Sequence, residues 1–183
     1  HWPFRISMKA YFDIDTQIDF MFPAGALYAP GAERLLPAIA RLNAHATKNG
    51  IPLISTMCAH PEDADEFRAW PPHCIVGTIG QQKPASTLQP NQILIEKNNI
   101  DMFSNPALMP LLDRLEIEEC YVYGVVLEVC VRCAVSGLLK TGRKVNLVSD
   151  ATIHFDAEAG AKALEEFKAA GGSRYMSITE SDI

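Results

Sequence analysis

Residues 120–135 read CYVYGVVLEVCVRCAV, and this stretch decides the fold. Its opening run, Cys120 to Val126, is apolar almost throughout, the pattern of a central parallel strand buried on both faces. From about Val129 to Thr141 the period changes, and Val131, Ala134, Val135 and Leu138 recur at helical spacing. A buried strand that runs into a helix is half of a βαβ unit. The same alternation continues outward in both directions. After it come a strand at Lys144–Asp150 (KVNLVSD), a helix at Asp156–Ala170 and a strand at Tyr175–Thr179. Before it come a strand at Met8–Asp15 (MKAYFDID) and a helix from Gly31 to Asn49, stopped by Gly50 and Pro52. Strands at Ile51–Cys58 and Gln92–Lys97 follow, then a helix carrying Leu108, Leu111, Leu112 and Leu115. The pattern predicts one doubly wound α/β domain over 8–183. It has a six-stranded, mostly parallel sheet with helices on both faces. Residues 1–7 are read as extra to the domain, because Met8 immediately precedes the first strand.

The composition narrows the function classes. The chain has 183 residues, 48% hydrophobic and 21% charged, with a formal net charge of -6. That is an ordinary globular mixture, and no basic arm or Lys/Arg cluster suggests nucleic acid. No apolar run reaches the roughly 18 residues of a membrane span. The start, HWPFRIS, lacks the apolar segment of a signal peptide. Five cysteines, odd in number and irregular in spacing, argue against a disulfide framework. The expectation is a cytoplasmic protein with no nucleic-acid or membrane partner.

One segment breaks the rhythm. From about Ala59 to Asn91 the chain holds Pro61, Pro71, Pro72, Pro84 and Pro90 and little periodicity. Loops this long inside a compact domain are usually lids or binding loops. This one carries His60, Trp70, His73 and Cys74.

In open parallel sheets, ligands bind beyond the carboxyl ends of the strands. Asp15, Cys58 with His60, Lys97, Glu128 with Cys130, and Asp150 all fall at those ends. Together they place a carboxylate, an ammonium and a thiol on one edge. Cys130 lies near the first turn of a helix, where unpaired N–H groups and the dipole stabilise a thiolate. It is the best candidate nucleophile, with a packed core cysteine as the alternative. Asp15 would serve as general base and Lys97 would hold it. Backbone N–H groups at Val126 and Cys130 would stabilise a tetrahedral oxyanion. Cys130 and Cys133 also form a C-x-x-C pair, and a thiol-redox or zinc-binding protein using Cys58, His60, His73, Cys74 and this pair is a rival. Val131 and Arg132 are not the Gly/Pro spacer usual there, and Cys133 is expected to point into the helix–sheet core.

Three segments resemble the isochorismatase-like cysteine hydrolases, a family that includes nicotinamidases and N-carbamoylsarcosine amidases. They are DIDTQIDFMFPAGALYAPGAE (13–33), EKNNIDMF (96–103) and GVVLEVCVRCAV (124–135), in the family's order. The resemblance implies Asp15, Lys97 and Cys130 as a catalytic triad and a cis peptide between Val125 and Val126 that aims an N–H at the oxyanion. It implies hydrolysis of a C–N amide bond through a thioester, with nicotinamide the leading substrate. A family branch that cleaves a vinyl ether without a cysteine is the alternative. WPPHCIVGTIG (70–80) resembles the nicotinamidase stretch that carries a metal-binding histidine. By that resemblance His60 and His73 are metal ligands, with Cys58 where the branch has an aspartate. A Cys/His/His set suits zinc better than a harder ion, and the lost carboxylate equally permits no metal at all. Phe20 and Trp70 become aromatic walls for a flat ring. Leu127 and Asp13 depart from the usual pattern and are expected to affect which substrate fits. Homo-oligomerisation is a further expectation.

Overall fold

The computed structural model describes residues 7–175 and Ser177. Six strands form one sheet: β1 Lys9–Ile14, β2 Leu53–Cys58, β3 Ile93–Lys97, β4 Glu119–Val125, β5 Lys144–Ile153 and β6 Ser173–Tyr175. Their spatial order is β3-β2-β1-β4-β5-β6, and every neighbouring pair is parallel. The order reverses between β1 and β4, and such a switch point opens a crevice beyond the strands' carboxyl ends.

The helices are α1 Ile18–Met21, α2 Leu36–Lys48, α3 Leu108–Arg114, α4 Arg132–Lys140 and α5 Ala157–Ala169. Alternation along the strands divides the interior in two. Phe12, Ile14, Ile54, Cys120 and Val122 pack with Leu108, Leu112, Val135 and Leu138 on one face. Tyr11, Leu53, Tyr121, Tyr123 and Val125 pack with Ile39 and Leu42 on the other. The β4 run is buried throughout, as its apolar composition requires.

Several boundaries move, each for a physical reason. The helix read from Gly31 begins as a 3-10 turn over Ala32–Leu35, with Pro37 in the first turn of α2. β5 does not stop at Asp150. A register shift opposite Val122 and Gly124 lets it run on to Ile153, leaving Asp150 exposed within the strand rather than at a site. The last strand begins earlier than read, at Ser173, and is described to Tyr175; of the remaining 176–179 only Ser177 falls among the described residues.

The turn that delivers Cys130 is not an ordinary helix start. Leu127–Val131 form a π-helical turn in which Val131 N–H donates to Val126 O at 3.1 Å, and α4 begins only at Arg132. Such wide turns recur at functional sites. The Val125–Val126 peptide before it is cis. Gly124 has φ +110, and a Cβ there would meet Ile14 O at 2.2 Å, so only glycine lets β4 lie this close to the end of β1.

Candidate active site

Asp15 follows β1 with φ +49, in the left-handed region that Asp tolerates. That twist breaks the strand's alternation and turns the carboxylate toward β2 and β3. Its Oδ1 accepts from the Thr56 hydroxyl at 2.7 Å, and its Oδ2 accepts from Lys97 Nζ at 2.8 Å. Lys97 ends β3 in register with Cys58 at the end of β2. The same ammonium donates to Asn99 O at 3.0 Å and lies 3.6 Å from Cys130 Sγ. Asp15, Lys97 and Cys130 are 0%, 4% and 8% exposed, so these charges interact with little solvent screening.

Burial raises the Asp15 carboxyl, but the Lys97 charge and hydrogen bonds from Cys130, Lys97 and Thr56 outweigh it and hold the group below the usual carboxylate range. Burial opposes the Lys97 charge too, yet Asp15 keeps it well above the ordinary lysine value. The Cys130 thiol moves up, through its hydrogen bond with Cys58 and through burial, against the pull of Lys97. The two groups are thus shifted in opposite directions.

Cys58 occupies a second role at the same edge. Its Sγ lies 3.5 Å from Asp15 Oδ2 and 3.5 Å from Lys97 Nζ. It also belongs to a group with His60, Glu66 and His73 whose ligand atoms all lie within 4.8 Å of one another. The Nε2 atoms of His60 and His73 lie 2.8 and 3.0 Å from the same Glu66 oxygen. Their Nδ1 atoms are anchored elsewhere, at 2.7 Å from Asn98 Oδ1 and 2.7 Å from Pro71 O. Rings fixed in this way at Nδ1 are oriented for ligation through Nε2. Burial raises Glu66, but hydrogen bonds with both histidines bring it down to about 2. The buried Glu66 Oε1 has no hydrogen-bond partner among the described residues. One sulfur, two imidazole nitrogens and a carboxylate with an unpartnered buried oxygen fit a zinc ion.

Aromatic rings close around this group. Phe20 is buried with its ring 5.4 Å from His73, and Phe67 stands edge-on to both histidines. Trp70 is half-buried, its ring 5.6 Å from that of Phe155. Sequence reasoning missed four residues here. Thr56, Glu66 and Phe155 carried no motif signal. Gln17 lay inside a quoted motif without a role, yet its amide bonds both the N–H and the C=O of Cys58 at 2.8 Å and fixes the end of β2.

Three residues singled out in the sequence lie elsewhere. Asp13 keeps the strand alternation and points to the α2 side. There it accepts from Asn43 at 2.9 Å and from the Thr16 hydroxyl, so it ties α2 to the sheet. Cys133 is not in the core. It is half-buried and lines a cavity with Ile100, Asp101 and Phe103, away from the Cys58 cluster. Leu127 is buried in the α4-side core.

A carboxylate, an ammonium and a thiol thus meet at the switch point of a doubly wound sheet, the place where such folds bind ligands. The Isochorismatase domain family matches residues 9–179, and the chain belongs to that family. It is 26% identical over 181 residues to the nicotinamidase/pyrazinamidase of Mycobacterium tuberculosis, covering 89% of this chain and 96% of that one. Its fold is similar to the pyrazinamidase of Pyrococcus horikoshii in complex with zinc, with TM-score 0.87, 29% identity and coverage of 92% and 98%. It is also similar to an L. infantum protein in complex with nicotinate, with TM-score 0.83, 26% identity and 92% of each chain covered. Among the described residues, no helix is long and apolar enough to cross a membrane.

Proposed function

We propose that this chain is a cysteine amidohydrolase that cleaves the C–N bond of a small aromatic amide of the nicotinamide type and releases ammonia. The observation that carries the reading is the position of Lys97 Nζ, 2.8 Å from Asp15 Oδ2 and 3.6 Å from Cys130 Sγ, with all three side chains buried. The nicotinamidase and pyrazinamidase relatives support the choice of substrate class.

Asp15 takes the Cys130 proton as the sulfur attacks the carbonyl carbon, so no free thiolate has to exist beforehand. Lys97 holds the carboxylate in place and lends positive potential to the sulfur as it ionises. Backbone N–H groups of Val126 and Cys130 are the assigned donors to the oxyanion. Asp15 then passes its proton to the departing amine, leaving a thioester on Cys130. In the second half Asp15 deprotonates the attacking water, and the acid product leaves as Cys130 regains its proton.

Cys58, His60, Glu66 and His73 are the residues that would hold a divalent metal. In that position a divalent metal would supply Lewis acidity beside the substrate. Phe20 and Trp70 would flank the flat ring.

The test is ammonia release from a panel of small amides that includes nicotinamide, with Cys130→Ala as the control. Release by the wild type alone is the expected result. Activity that survives Cys130→Ala would remove the cysteine mechanism.

A further inference from the structure

Hydrolysis needs one sulfur at this edge, and the structure supplies two. Cys58 ends β2 and Cys130 follows β4, on the two strands that flank β1. The two Sγ atoms and an Asp15 carboxylate oxygen all lie within 4.8 Å of one another. A single ammonium, Lys97 Nζ, stands 3.5 Å from one sulfur and 3.6 Å from the other. Both thiols are buried, at 1% and 8% exposure, and Cys130 is the nucleophile in the reading above. Cys133 is close to Cys130 in sequence but lies outside this cluster, facing the cavity beside Asp101 and Phe103. Cys74 and Cys120 are wholly buried and also absent from it.

We propose that Cys58 is a resolving thiol for Cys130, and that a hydroperoxide converts the pair into a reversible disulfide that switches the enzyme off. The inference rests on the reading of Cys130 as the reactive sulfur. In the first step the Cys130 sulfur attacks the O–O bond of hydrogen peroxide. A sulfenic acid forms, and the distal oxygen leaves as water with the thiol proton, carried by Asp15. In the second step the Cys58 sulfur attacks the sulfenic sulfur, the S–O bond breaks, and a second water leaves with the Cys58 proton. Two thiols are oxidised and one peroxide is reduced to two waters. The S–S bond of ~2.05 Å requires the two sulfurs to close by side-chain rotation. A dithiol reductant reverses the reaction by exchange and is itself oxidised to a disulfide. While it lasts, the bond removes the nucleophile and also takes away the thiolate donor of the candidate metal group. It equally shields Cys130 from the irreversible sulfinic and sulfonic acids.

The test is non-reducing peptide mass spectrometry of the full chain after treatment with hydrogen peroxide and alkylation of the remaining thiols. The expected product is one cross-linked peptide pair joining Cys58 to Cys130, lighter by two hydrogens than its parts and abolished by dithiothreitol. In Cys58→Ala, the same treatment should carry Cys130 on to sulfinic and sulfonic acid, which dithiothreitol does not reverse. Cys58→Ser, closer in shape, serves if the alanine variant does not fold. Over-oxidation of Cys130 at equal rates in wild type and variant, or a bond from Cys130 to Cys133, would overturn the proposal. The readout is a mass and not a turnover. A cross-link in a protein that releases no ammonia would therefore count against the hydrolase reading alone.

Discussion

The Lys97–Asp15 pair offers the most direct quantitative test of the site. Lys97→Met keeps most of the side-chain stem and removes the charge. Asp15 has no exposure, and without Lys97 its carboxylate keeps the Thr56 hydroxyl as its 2.7 Å partner but loses the ammonium bonded to it. Removing one member of a buried ion pair costs about 3–5 kcal/mol, a large part of a total stability of about 5–15 kcal/mol. A loss near 4 kcal/mol, at a slope of about 2 kcal/mol per M, lowers the urea midpoint by roughly 2 M. The assay is urea denaturation followed by tryptophan fluorescence and circular dichroism. Wild type, Lys97→Met, Asp15→Asn and the double variant together form a thermodynamic cycle. The double variant buries two neutral groups and should regain at least about 2 kcal/mol over the sum of the single losses. Simple additivity would refute the argument, because it would mean that the two charges do not depend on one another in the folded protein.

Other expectations follow from the same geometry. Asp15→Asn should slow acylation by roughly 10²–10⁴-fold, read as the burst of ammonia in single-turnover mixing; an unchanged rate would exclude a base at that position. Glu66→Gln should weaken zinc retention by about tenfold or more in equilibrium dialysis, whereas equal retention would exclude Glu66 as a ligand. Cys58→Asp should shift preference toward harder divalent ions by elemental analysis of competitively loaded protein, and an unaltered profile would separate Cys58 from the metal group. Glu119 supplies a pH test. Burial pushes its carboxyl up, but hydrogen bonds from Asn146 and Tyr121 and the charge of Lys144 outweigh that and hold it low. Its stabilising contribution is therefore full above the unfolded value of about 4.3 and disappears as pH falls through the lower folded value. Glu119→Gln should flatten the acid limb of the Tm–pH curve, and an identical limb would show that the group does not contribute.

Much of this molecule is legible in the amino-acid order. CYVYGVV is apolar on both alternating faces because β4 lies at the centre of the sheet, and that fact alone implies a parallel α/β fold. Asp15, Lys97 and Cys130 could be picked out because each falls at or just beyond a strand end, and those ends meet at one edge in such folds. The tertiary structure decided the rest, because contact across strands depends on order, register and local backbone angle rather than on spacing along the chain. Asp13 and Asp15 should share a face by period, but the positive φ at Asp15 sends their carboxylates to different sides, one to Lys97 and one to Asn43. Cys133 sits three residues from Cys130, yet the π-helical turn sets its thiol apart from the cluster that includes Cys58, which comes from 72 positions upstream by the numbering. Glu66 carries no motif and became visible only when the loop folded back, bringing His60 and His73 onto a single carboxylate oxygen.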